Sequence, residues 1–180
     1  MSEFEYIAVL ISIVFGLAIT QLLSGIVRLF YDDHIDDVSL GWALAVTLAL
    51  LINWWSFFQW HDTEQWRFEL YAFLVFWSAS HYALSAALFP RGLVGRDEPE
   101  RERKVFLVLL LVFMGVDVIE ANLRDALFSP WYFLPSMASW ALATMAVLVV
   151  RRRWVERLVA WYMFVSFIFF ALIARSLLQA

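Results

Sequence analysis

Apolar residues fall along this chain in six long blocks, separated by short polar breaks. The blocks run over about 4–30, 39–60, 68–89, 105–128, 134–150 and 154–178. A helix needs about 20 apolar residues to cross a hydrocarbon core of about 30 Å. The fifth block is the shortest, and the others reach or pass that length. Only helices and closed barrels satisfy every backbone group in lipid, and blocks this long and continuous are helical. The pattern predicts an all-α integral membrane protein, a six-helix bundle forming a single transmembrane domain over 1–180. The connections "YDDHIDDV", "HDTEQWR", "PRGLVGRDEPERERK", "SPWYFLP" and "RRR" are too short to fold by themselves. Any function must therefore lie within the bundle or at its two faces.

Composition agrees. The 180 residues are 63% hydrophobic and 17% charged, against roughly 45–50% and about 25% in a soluble domain. Mean hydropathy is +0.74. Cysteine is absent, which excludes disulfides and cysteine-based metal sites. A net charge of −4 argues against a nucleic-acid partner. The opening "MSEFEY" has no basic region, so the first block is expected to be a retained span.

Charge also predicts direction. Ten of the 13 Lys and Arg fall in or beside the first, third and fifth connections; Arg67, Arg124 and Arg175 do not. Basic residues in short loops stay cytoplasmic, so both termini are expected on the non-cytoplasmic side. Trp42 and Trp154 would then join an inner aromatic belt, and Trp60, Trp66, Trp131 and Tyr132 an outer one. The two halves show no residue match that would support an inverted repeat.

Close packing and polar contacts, rather than apolarity, bring helices together in lipid. Ser12, Gly16, Thr20 and Ser24 recur every four residues in the first block. This small-residue stripe suits packing within the chain, the leading reading, or a seam between copies. Gln21 beside it needs a polar partner. Asn53, and the Ser78, His81 and Ser85 face of the third block, are expected to act as interhelical glue.

The most informative stretch is "MGVDVIEANLRDALF", 114–128. At 100° per residue, Asp117, Glu120 and Arg124 form one narrow stripe. Glu120 and Arg124 stand in the favoured order for an i, i+4 ion pair. A charge at mid-membrane costs about 2.5–3.5 kcal/mol on insertion scales, so the stripe should face the bundle or water. Counting from Val105, Asp117 lies about 18 Å and Arg124 about 28 Å along the helix, in the outer half. Asn53, His61 and Arg175 are expected at a similar level. Together these residues predict an outward-open polar pocket, with Asp117 lacking an obvious local partner. Three readings stand: a structural salt-bridge network, a path for a solute, ion or proton, and acid–base catalysis by Asp117 and Glu120. No substrate motif accompanies the third.

Other constellations are weaker. "YDDHIDD" lacks the spacing and glycine of a calcium loop, and its carboxylates are expected to pair with nearby arginines. "HDTE" is a similarly weak metal candidate. The three histidines fall at levels that disfavour a haem pair. No phosphate loop, catalytic triad or HExxH motif occurs. No metal or cofactor is expected.

"FEYIAVLISIVFGLAITQLLSGIVRL", "NWWSFFQW", "ALSAALFP" and "RERKVF" resemble a widespread group of small bacterial multi-pass membrane proteins of no assigned activity. The resemblance implies a bacterial inner (cytoplasmic) membrane and carries no site residue across. The expected function is a non-enzymatic membrane module in the lipid bilayer, acting through helix packing, as a homo-oligomer or as a complex subunit. The alternative is a small transporter or channel using Asp117 and Glu120.

Overall fold

The computed structural model describes residues 2–31, 36–63, 65–90, 99–128 and 130–177, the last four and residue 99 by backbone alone. These form six α-helices: α1 (Glu3–Tyr31), α2 (Asp37–Phe57), α3 (Phe68–Leu88), α4 (Pro99–Leu123), α5 (Phe133–Val150) and α6 (Arg153–Leu177). A short 3-10 segment, Phe58–Asp62, extends α2. Helices α1, α2 with this extension, α4, α5 and α6 are long and apolar enough to cross a membrane. The third predicted span, α3, is not among them by composition. It carries Glu69, Ser78, Ser80, His81 and Ser85 in 21 residues. Ser78, His81 and Ser85 are buried, so these polar groups face other helices.

Local signals explain the helix ends. Glu5 N–H donates to Ser2 Oγ (3.2 Å) and Ser2 N–H to Glu5 Oε2 (2.8 Å), a reciprocal capping box for α1. Asp36 caps α2 by accepting from Val38 N–H at 3.3 Å. The fourth helix stops at Leu123 rather than reaching Phe128. There Asp125 takes a left-handed φ of 55°. Asp125 N–H returns to the Asn122 carbonyl (3.1 Å) and Ala126 N–H to that of Ala121 (2.8 Å), a Schellman turn. Arg151, at φ 50°, ends α5 in the same conformation and lets α6 begin two residues later.

The helices α1 and α3 run alongside each other, as do α2 and α6, while α4 packs between α3 and α5. The inward face of α1 is Ile7, Ile11, Phe15, Ala18, Leu22 and Gly25. Glycines mark two close approaches. A Cβ on Gly25 would lie 2.0 Å from the Phe89 ring, and one on Gly41 3.2 Å from Ala160. Gln21 finds its partner here, donating from Nε2 to the Phe89 carbonyl at 2.7 Å.

Three expectations about packing are corrected. The Ser12, Gly16, Thr20 and Ser24 stripe does not pack within the chain. Its residues are half-buried or exposed, a Cβ on Gly16 would touch nothing, and the Thr20 hydroxyl bonds its own helix at the Gly16 carbonyl. Ser78 and Ser85 likewise donate to their own helix, at Val75 and His81 carbonyls, rather than across to a neighbour. Trp42, 2% exposed, Trp60 and Tyr132 are buried, so they line the interior instead of an aromatic belt. Trp131 and Trp154 are exposed.

The outer surface is apolar: Leu142 and Val149 are 72% and 75% exposed, and Leu17, Val27, Leu158 and Leu172 face outward with them. A soluble protein exposes few contiguous apolar patches of this kind. The surface is what lipid contact requires, and is compatible with an integral membrane protein.

Candidate functional site: a polar chamber in the bundle

One end of the bundle carries the α4–α5 connection, and the other the α5–α6 connection. At the α5–α6 end, charges meet across helices. Arg153 Nη2 donates to Asp36 Oδ1 at 2.7 Å. Arg157 forks onto Asp37 through Nε (2.6 Å) and Nη2 (3.2 Å). Arg103 Nε lies 2.7 Å from the buried Glu156, a charge contact without aligned hydrogen-bond geometry. The carboxylates Asp36 and Asp37 of the acidic stretch thus pair with arginines from "RRRWVER". Asp32, Asp33, His34 and Glu64 of the two metal candidates lie outside the described residues. Among the described residues, no group of three His, Asp or Glu is placed to hold a metal ion.

At the α4–α5 end, α4 turns its charged stripe inward. Asp117 and Glu120 are both buried. Glu120 Oε1 accepts from Arg124 Nε (2.6 Å) and Trp60 Nε1 (2.8 Å), and its Oε2 accepts from Arg124 Nη2 (2.8 Å). Arg124 also donates to Gln59 Oε1 through Nη1. The helical spacing of four residues brings Glu120 and Arg124 together; the indole comes from α2's extension.

Asp117 is not without partners. Its Oδ1 accepts from Trp77 Nε1 on α3 and its Oδ2 from Asn53 Nδ2 on α2, each at 2.8 Å. The same Asn53 amide lies 3.0 Å from His81 Nε2, and His81 Nδ1 lies 2.9 Å from the Trp77 carbonyl. One assignment of protons satisfies all four contacts. His81 is neutral with its proton on Nδ1, donating to the carbonyl, and Nε2 accepts from Asn53. Both Asn53 N–H groups are then used. Buried indole N–H and imidazole groups need such partners, which is why Trp77 and His81 tolerate full burial. The His81 ring packs 4.7 Å from Phe15, 4.7 Å from Phe113 and 4.9 Å from Trp77.

Beside these carboxylates is a cavity of about 170 Å³. Asn53, Gln59, Asp117, Glu120 and Arg124 line one part of it. Trp55, Tyr132, Met137, Trp140, Phe167 and Phe170 supply much of the remaining wall. Its walls thus come from α2, α4, α5 and α6. The described residues that line it belong to the α4–α5 half of the bundle. Tyr132 is 8% exposed, stands edge-on to Phe170 at 5.2 Å, and its buried hydroxyl has no hydrogen-bond partner among the described residues. Burial pushes its phenol above its ordinary pKa.

The structure therefore brings Asp117, Glu120, Arg124 and Asn53 to one place. It does not bring His61, whose side chain is 72% exposed, pairs with Asp62 at 3.0 Å and meets Phe4 edge-on. The side chain of Arg175 lies outside the described residues. Trp60, Trp77 and Tyr132 were not foreseen at the site. Intramembrane indole and phenol groups need hydrogen-bond partners, and that was the available signal. No family model, curated protein or solved structure matches the chain.

Proposed function

We propose that the chain is a non-enzymatic, solute-binding module of a bacterial inner membrane. It crosses the bilayer six times, with both termini outside and the chamber opening to the outer half. The observation that carries this reading is a mixed polar and aromatic cavity beside two buried carboxylates. Small-molecule sites have this makeup: apolar walls that exclude water and a few placed polar groups that orient the ligand. The aromatic layer of Phe15, Trp77, His81 and Phe113 on the far side of Asp117 favours binding over an open channel. Transport would need that layer to rearrange. The bacterial inner-membrane address follows from the sequence resemblance to small multi-pass bacterial proteins.

The test is a thermal-unfolding screen of the purified protein against small solutes, repeated with Met137→Trp, which narrows the chamber. Solutes that stabilise the native chain are expected to lose their effect in the variant. If every stabilising solute acts equally on both proteins, the chamber is not the binding site.

A second reading, assembly, has its own support. Gly16 and its stripe face outward with open space, as a seam for a second helix would. Replacing Gly16 and Thr20 with Leu is expected to change oligomer size on native gels. Unchanged size counts against it.

A further inference from the structure

The chamber sets a carboxylate bonded by neutral donors beside a wall of aromatic rings, and this combination points to a ligand class. Resting on the reading of the chamber as a binding site, we propose that it receives an ammonium group, with Asp117 as the counter-charge.

The charge inventory carries the argument. Among the described residues, two carboxylates and one guanidinium line the cavity. Arg124 is committed, forking onto Glu120 and donating to Gln59. Among those residues the hydrogen bonds to Asp117 come from neutral N–H donors, Trp77 and Asn53. A carboxylate offers about four acceptor sites, so those two donors leave about two unused. Asn53 has spent both N–H groups and can add only its carbonyl oxygen. Burying an ionised carboxylate with no bonded cation is unfavourable, and a bound ammonium that keeps Asp117 ionised offsets that cost.

The wall fits the same ligand. Trp55, Tyr132, Trp140, Phe167 and Phe170 surround the cavity, and aromatic rings attract ammonium groups through their negative faces. Independently of the acidic pair, the Tyr132 hydroxyl is buried, belongs to the lining and has no hydrogen-bond partner among the described residues. It can accept a hydrogen bond from an ammonium N–H. A bare metal ion would instead need three or more hard ligands, which no cluster of described residues supplies. A volume of about 170 Å³ limits the bound part to a small headgroup or amine. The ammonium can belong to a free amine or to the ethanolamine headgroup of a lipid; the recognition chemistry is shared.

The experiment uses the full chain in nanodiscs of phosphatidylglycerol, with calorimetric titration of ethylammonium, propanol and propionate. Ethylammonium is expected to bind, and the neutral and anionic probes to bind at least about tenfold more weakly, the size of one charge-pair contribution. Asp117→Asn should weaken ethylammonium binding by about tenfold or more. Phe170→Leu keeps both carboxylates and an apolar wall, and should weaken it about threefold through loss of a ring. It keeps the proposal testable if Asp117→Asn does not fold. Exchanging the lipid for phosphatidylethanolamine separates the sources. Competition against ethylammonium supports a headgroup ligand, and unchanged affinity supports a free amine. Propanol or propionate binding as tightly, with the same Phe170 sensitivity, overturns the ammonium assignment while leaving the chamber a binding site. Binding of no probe, with no stabilising solute sensitive to Met137→Trp, overturns both.

Discussion

The residues that decide the character of this site are two carboxylates held in different ways. Glu120 is neutralised by a guanidinium one helical turn away, 2.6 Å distant, and steadied by the Trp60 indole. Among the described residues, Asp117 accepts hydrogen bonds from neutral donors, so its carboxyl is not bonded to a guanidinium as that of Glu120 is. Breaking a buried pair strands the surviving charge, which costs about 3–5 kcal/mol. Glu120→Ala should therefore lower unfolding free energy by about 3 kcal/mol in denaturant titrations. A loss below about 1 kcal/mol would place the pair among weak surface bridges. The Glu120–Arg124 pair was legible in the sequence because both residues lie on one helix. The Asp117 partners were not, since Asn53 and Trp77 arrive from two other helices and their reach depends on how those helices pack. His61 shows the converse: its level along α2 suggested the pocket, but a 3-10 turn swings it to the surface.

Helix boundaries and contacts follow from small local features. The six blocks of apolar residues marked all six helices, because block length and continuity are what lipid or a buried interior selects. The end of α4 was misplaced because "ANLRDALF" contains no glycine, and Asp125 takes the left-handed position that glycine usually fills. The packing face of α1 was also misjudged. Small residues at every fourth position signal close approach, yet the bulkier face with Phe15 and Leu22 turns inward and the small stripe outward. Gly25 and Gly16 should therefore respond in opposite ways to one change. Gly25→Ala forces the Phe89 ring to move and should cost about 1–3 kcal/mol. Gly16→Ala meets nothing and should be neutral or gain up to about 1 kcal/mol from helix propensity. Parallel unfolding titrations compare them, and equal effects would mean that α1 is rotated from the face described. At the other end of the bundle, Arg151→Gly relieves a left-handed arginine and should raise stability by about 1 kcal/mol in the same titrations.

On the scale of the whole molecule, an apolar exterior surrounds two polar ends of different kinds. The α5–α6 end is tied by arginine–carboxylate pairs between α2, α4 and α6. The α4–α5 end opens into the chamber. The proposed orientation puts the arginine-rich end in the cytoplasm and the chamber outside. The chain has no cysteine, so a single introduced thiol reports position without background. Glu3→Cys should react with an impermeant thiol reagent in intact cells, and protection there would reverse the orientation. A high-resolution density map of the protein taken from its native membrane shows whether the chamber is a binding site. Ordered non-protein density is expected between Asp117 and the rings of Phe167 and Phe170, in contact with the Tyr132 hydroxyl. A chamber collapsed onto its own side chains, with Asp117 and Tyr132 meeting protein groups alone, would contradict it.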